Sequence, residues 1–352
     1  MTTSSRTALI AAGVAVLALA SPTAPATSQQ SAERSRPAPT TLFDVSDLET
    51  GAPPALAWSE RRSGRTVIHG TTGTSTPAPN NLDAFVPMPS GFVVQTAGNR
   101  PVTTRWLSAD GTLGTREWRT GYGLAVSAQG KAVGFAGKRG RVWTIDDDGY
   151  RVLSYRPVPI TGTGHAVAVR GEDCKESDVS TGCSVYVNGA RGWYTSSHGI
   201  VDRAPRMRLV STGRGRWLGG ITRISDTGTC SVMLRNGRAR WRTCDNRFSD
   251  IAPDDAHVLG LPAYGDGFGP TTLDLLATAD GSTVRTFRSP DHGAVTTYFD
   301  EVWEDAQHVL VVTYSDEEWA VVRLGVDGSM EYAVPPRRGS SDLRSPLQLQ
   351  TR

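Results

Sequence analysis

Apolar positions along this chain come in short bursts that alternate with polar ones and stop at turn residues. The stretch HVLVVTYSDEEWAVVRLGVDG, residues 308–328, shows the plan: a β-branched run, a polar turn, a second β-branched run and an Asp-Gly turn. SMEYAVPP follows as a short strand closed by prolines. Residues 257–281 repeat the plan with a longer middle loop, and residues 123–149 repeat it compactly. Period-two alternation with β-branched residues predicts strands, and no long stretch of helical period competes. The inner runs are apolar on both faces, which suits strands sandwiched between neighbouring sheets.

The turns recur. Asp-Gly or Asn-Gly pairs and their equivalents place glycines at 111, 149, 189, 237, 281 and 328, about 43 residues apart on average. Both central positions of a tight hairpin turn need positive φ, which these pairs supply. Four short strands at a period of about 40–45 residues is the signature of a β-propeller blade. A second marker lies one hairpin earlier, where IAPDDAHVL, VWEDAQHVL and VSAQGKAVG share a frame. These segments resemble the S-P-D-G-(K/R)-x-(L/V) strand–turn–strand of TolB-like and WD40-like propellers. The likeness covers most of the mature chain, but the G-H…W-D signature of a regular WD40 array is missing. It implies a propeller fold and a tendency to bind, with no specific activity attached.

Residues 42–350 hold about seven such periods, so the chain reads as all-β, a single β-propeller of seven four-stranded blades; six or eight also fit the division. ALAWSE and RTVIHG, near the N-terminus, would form the seventh blade with a C-terminal strand in SPLQLQ. Closing the ring in this way removes exposed sheet edges.

Composition adds a compartment. Arg6 precedes an apolar run from Ala8 to Ala20 and then small residues, the order of a secretory signal, with cleavage after Ala20 or Ala26. The run is shorter than the ~20 residues that span a bilayer, so no membrane span is expected once the signal, residues 1–26, is removed. Residues 27–41 read as a flexible linker. Four cysteines in an exported chain favour disulfides over a metal site, and local pairs Cys174–Cys183 and Cys230–Cys244 are expected. The formal charge is +2, with basic and acidic residues taken as interspersed along the chain, so nucleic acid is not an expected partner. A monomer is expected.

The sequence carries no G-x-S-x-G elbow, H-E-x-x-H motif, P-loop or G-x-G-x-x-G fingerprint, so no catalytic residue, metal or cofactor is assigned. His257 and His308 start matching strands in adjacent repeats and read as architectural, since an active site has to be unique within a ring. Asp250 and Asp300 also align, near the ends of innermost strands, where they either project into the central channel or bond backbone amides between blades. Trp106, Trp143, Trp241 and Trp319 are expected between blades. The longest loops inside repeats span 171–182 and 262–271, and Tyr264 and Phe268 on the second are candidate ligand contacts. Together these features point to a secreted, non-catalytic propeller that recognises a protein or cell-envelope component through one face. The alternative is a glycan hydrolase or lyase using channel-mouth carboxylates.

Overall fold

The computed structural model describes residues 38–98, 101–146, 149–153, 157–175, 182–265, 268–291, 295–341 and 345–352. The expected signal and all but the end of the expected linker lie outside them. The described residues form seven antiparallel sheets of four strands, one of them extended to five. Blades 2 to 7 span residues 82–119, 125–152, 165–203, 209–243, 246–288 and 297–338, each running strand by strand from the channel outward. Blade 1 takes its three outer strands from Trp58–Arg62, Arg65–His69 and Ser75–Ala78, and its innermost strand from Leu347–Leu349. No helix among the described residues is long and apolar enough to cross a membrane.

What drives the strands into a ring is the absence of a core within any single blade. The buried side chains group into seven clusters, and each joins two neighbouring blades. Val86, Val93, Val133 and Phe135 pack blade 2 on blade 3, while Leu310, Val312, Leu347 and Leu349 pack blade 7 on blade 1. A sheet four strands wide with two oily faces is stable only between two others. The middle strands of blade 7, His308–Ser315 and Glu318–Gly325, are accordingly buried along almost their whole length, whereas the outer strand Arg238–Thr243 of blade 5 is largely exposed. Trp319 and Trp303, both fully buried, lie at such seams. Truncating a buried tryptophan of this kind costs about 3–5 kcal/mol.

Five of the six turn glycines mark the hairpin between the third and fourth strands of a blade; Asn236 and Gly237, with φ of 51° and 74°, form one such turn. Gly189 does not belong to this set. It joins the second and third strands of blade 4, Ser184–Asn188 and Gly192–Ser196, and the glycine in the corresponding place is Gly199. An Asn-Gly pair favours a hairpin without specifying which one, and the long first loop of blade 4 shifts the frame.

Both expected disulfides are formed. An unbroken hairpin from Asn236–Gly237 would set Cys230 opposite residue 243. A bulge at Arg240, where the pairing steps from Leu234↔Ala239 to Met233↔Trp241, moves the register by one and sets Cys230 against Cys244.

The chain reaches blade 1 by way of the outside of the ring. Thr40–Leu42, which includes the end of the expected linker, adds a fifth, parallel strand to blade 6 along Thr286–Arg288. Phe43 and Val45 then enter the blade 6–blade 7 core, and the Tyr332 hydroxyl donates to the Val45 carbonyl. Arg323 of blade 7 anchors the rest of this strap. It donates to the Ala52 and Pro53 carbonyls and pairs with Glu304 and Glu331, while Glu304 accepts the Ala55 amide.

Candidate functional site

Innermost strands of successive blades line a central channel and run in one direction. Their starts, together with the hairpins between second and third strands, define one face, here the upper. Their ends and the hairpins between first and second strands define the lower. Two clefts open along this axis. One of about 470 Å³ is lined by Asp83, Ser249, Asp250, Phe299, Asp300 and Glu301, among others. The other, about 870 Å³, opens on the lower side between Met88, Gln129, Lys131, Asp146, Lys175 and Arg214. Residues 350–352 line both and separate them. They are held by Gln350, whose amide donates to Ala57 and whose side chain accepts from it, and by the Thr351 amide, which donates to Phe85.

Asp250 and Asp300 do face the channel, but their oxygens are engaged by the backbone. Asp250 accepts the amide of Ile251 at 2.8 Å and that of Trp303, on the next innermost strand, at 3.0 Å. Asp300 accepts the amide of Leu349, again one strand further round, at 2.8 Å. The repeat places the same carboxylate at two consecutive seams, and at the second it holds the strand that closes the ring. Burial pushes both carboxyls up, Asp300 to about 6, against the lowering effect of the amides they accept.

The unrepeated group is Glu301. A bulge at Phe299, where pairing steps from Tyr298↔Thr313 to Asp300↔Val312, precedes it. Asp300 then turns toward blade 1 and Glu301 toward Ser249 of blade 6, to which it is hydrogen-bonded. Burial, with a smaller push from Asp300 and Asp250, raises the Glu301 carboxyl to about 7. Arg352 lies close to Asp250 in the same space and donates to the Trp303 carbonyl. Sequence reasoning passed over Glu301. The signal was available in the aligned repeats, since Asp300 matches Asp250 while Glu301 matches an isoleucine.

On the upper face, beside Phe299, lies a run of exposed apolar side chains. Phe268 meets Phe299 edge-on at 4.9 Å and Tyr314 at 5.6 Å, and both of those rest on buried Trp319 at 4.8 Å. Tyr264 and Phe268 are about half exposed, at 52% and 49%. The blade 5 hairpin that ends at Ile224 and Gly228 joins this loop through the Thr229 amide and the Ala263 carbonyl. Ile224, Tyr264, Phe268 and Phe299 thus form an arc over blades 5 to 7, four of the exposed large apolar residues on one face. Residues 266–267 of this loop, like residues 176–181 of the other long loop, lie outside the described set.

The two histidines that start matching strands have structural partners. His257 stacks on Trp303 at 5.7 Å, and His308 pairs with Asp305 at 2.9 Å.

The charge distribution departs from the expectation of interspersed signs. Residues 203–247 hold eleven arginines against two acidic residues, Asp226 and Asp245. Averaging over the chain hid this, and folding gathers the segment into blade 5 and its flanks.

No family model and no curated protein matches the chain. Solved structures do. The structure of BamB from Moraxella catarrhalis aligns at 13% identity and a TM-score of 0.43, over 80% of this chain and 84% of that one. A Dos1 propeller aligns at 9% and 0.48, over 84% and 86%. A prolyl endopeptidase aligns at 10% and 0.47, over 82% of this chain and half, 50%, of its own. These likenesses bear on the fold alone. The chain is a seven-bladed β-propeller, similar in fold to the TolB-like and WD40-like propellers, and its two disulfides are of a kind that forms in oxidising compartments.

Proposed function

We propose that this protein is a secreted, monomeric, non-catalytic recognition propeller that holds a protein or cell-envelope component against its upper face. Residues 1–26 would be removed on export, leaving a short linker ahead of the ring. The observation that carries the reading is the arc of Ile224, Tyr264, Phe268 and Phe299 on rigid hairpins. Aromatic side chains fixed on a scaffold and left in water are the usual anchors of a binding face. The channel carboxylates favour the same reading, since Asp250 and Asp300 spend their oxygens on the amides of neighbouring strands.

A photo-crosslinking residue at position 268, in the cell that makes the protein, tests this. A discrete adduct is expected, competed by excess wild-type protein and lost when Tyr264 and Phe299 are changed to alanine. Labelling that is diffuse, or indifferent to those changes, would overturn the reading.

The alternative, a channel-mouth hydrolase or lyase, has one observation in its favour. Glu301, with a carboxyl near 7, is suited to general acid work beside Asp300. Turnover of a glycan that disappears in Glu301→Gln, with folding intact, would establish it in place of the binding role.

A further inference from the structure

We propose that the outer wall of blade 5 binds a linear polyanion, a polymer with closely spaced phosphate or carboxylate groups, on a surface that borders the aromatic arc where Arg223 precedes Ile224. Three independent features carry this.

The first is density and lack of internal neutralisation. Arg235 and Arg238 face each other across the last hairpin of the blade, and Arg240 and Arg242 continue along its outer strand, Arg238–Thr243. All four are exposed. Among the described residues, no ion pair joins any of them to a carboxylate. At the lower end Asp255 of blade 6 lies within electrostatic range of Arg216 and Arg235. Asp202 stands at the margin toward blade 4, and Asp226 and Asp245 at the upper corner.

The second is extent. Charged outer strands also protect a sheet from pairing edge to edge, and four arginines on one hairpin would serve that purpose alone. Here the charge continues off the edge. Arg223 lies on the second strand of blade 5, opposite Cys230, and Arg208 precedes the innermost strand. Both are exposed. They do nothing for edge protection.

The third is shape and donor chemistry. The outer strand of six residues runs about 20 Å up the side of the ring at roughly 3.3 Å per residue, and the charge then turns over the rim. A flat bilayer can touch the wall or the upper face, but a flexible chain can follow both. The basic residues in the segment are all arginine. The guanidinium fork grips phosphate and carboxylate with two hydrogen bonds and is less strongly hydrated than an ammonium, which favours repeated oxyanions.

The test uses the protein that runs from residue 27 onward, with polyphosphate, poly-glutamate and anionic phospholipid vesicles as probes in 150 mM salt. Binding to at least one soluble polymer is expected. The charge swap Arg238→Glu, Arg240→Glu and Arg242→Glu should weaken it at least tenfold. Because these side chains are exposed, thermal unfolding should be unchanged. Neutralising Arg208 and Arg223 to glutamine should also weaken it and should lower the slope of log K against log salt by roughly 1.4, at about 0.7 per lost contact. Swapping Arg62, Arg65 and Arg119 on blades 1 and 2 is the control and should leave binding in place. Phosphate and carboxylate sources are distinguished by which polymer binds.

No binding to either polymer, binding to vesicles alone, or binding that survives both variants would overturn the proposal. None of these outcomes bears on the crosslink from position 268, so the two surfaces stand or fall separately.

Discussion

Asp300 offers the sharpest separation between a structural and a chemical carboxylate. Its Oδ2 accepts the Leu349 amide that fixes the closing strand of blade 1. Burial raises its carboxyl from 3.8 to about 6. A rise of that size corresponds to roughly 3 kcal/mol. The side chain still reaches channel water, so an effect of about 1–2 kcal/mol is expected after screening. The sign follows from proton binding. Well below pH 4 the carboxyl is protonated in both states and folding bears no cost. As the pH rises toward 6 the unfolded chain ionises first, and the native state loses stability; above 6 the deficit stays constant. Asp300→Asn keeps an acceptor for the Leu349 amide and removes the charge. It should therefore match the wild type near pH 4 and exceed it by about 1 kcal/mol at pH 8. Asp300→Ala leaves a buried amide without a partner, a cost of about 1–3 kcal/mol, and should fall below the asparagine variant at every pH. Urea unfolding at about pH 4 and pH 8, read from midpoints at unchanged slope, measures all three. An asparagine variant as weak as the alanine variant at pH 8, or a wild-type difference that ignores pH, would refute the reasoning.

Glu301→Gln should flatten the fall in thermal stability that the wild type shows between about pH 4.5 and 7, the window set by its raised carboxyl; calorimetry across that range checks it. Arg323→Met leaves Glu304 buried and unpaired and should cost about 3–5 kcal/mol, whereas adding Glu304→Leu should recover part of that loss, and a double-mutant cycle reads the difference. Replacing Cys230 and Cys244 with serine opens a loop of 14 residues and should cost about 3 kcal/mol in denaturant unfolding. Gly140→Ala places a methyl against the Val158 carbonyl at positive φ and should lower the melting temperature by several degrees.

The architecture was legible because its determinants are local. Apolar alternation, Asp-Gly hairpins and the shared frame of IAPDDAHVL and VWEDAQHVL set strand type, period and blade number, and SPLQLQ supplied the closing strand where the arithmetic required one. The frame slipped at Gly189, where turn chemistry alone does not rank hairpins within a blade. Register was legible only to within one residue, because the bulge at Arg240 that aligns Cys230 with Cys244 depends on packing against blade 6, where the Trp241 indole donates to Thr278. The site was less legible. Convergence of Asp250, Ser249 and Glu301 depends on bulges in two adjacent innermost strands, and the arginine wall depends on which residues one blade turns outward.

Ser59 and Gln348 bond across the seam of blade 1 from positions 289 residues apart. Hairpins in blades 2 to 7 can assemble from near neighbours, whereas this last seam must bring together distant stretches of chain, at a configurational cost near 5 kcal/mol beyond a constant. The wheel therefore latches late. Until it does, Leu56, Val302 and Leu310 face water, and an unlatched ring offers the same oily seam to a sister molecule. The strap gripped by Arg323 shortens that interval by holding residues 52–55 beside their destination before the latch arrives.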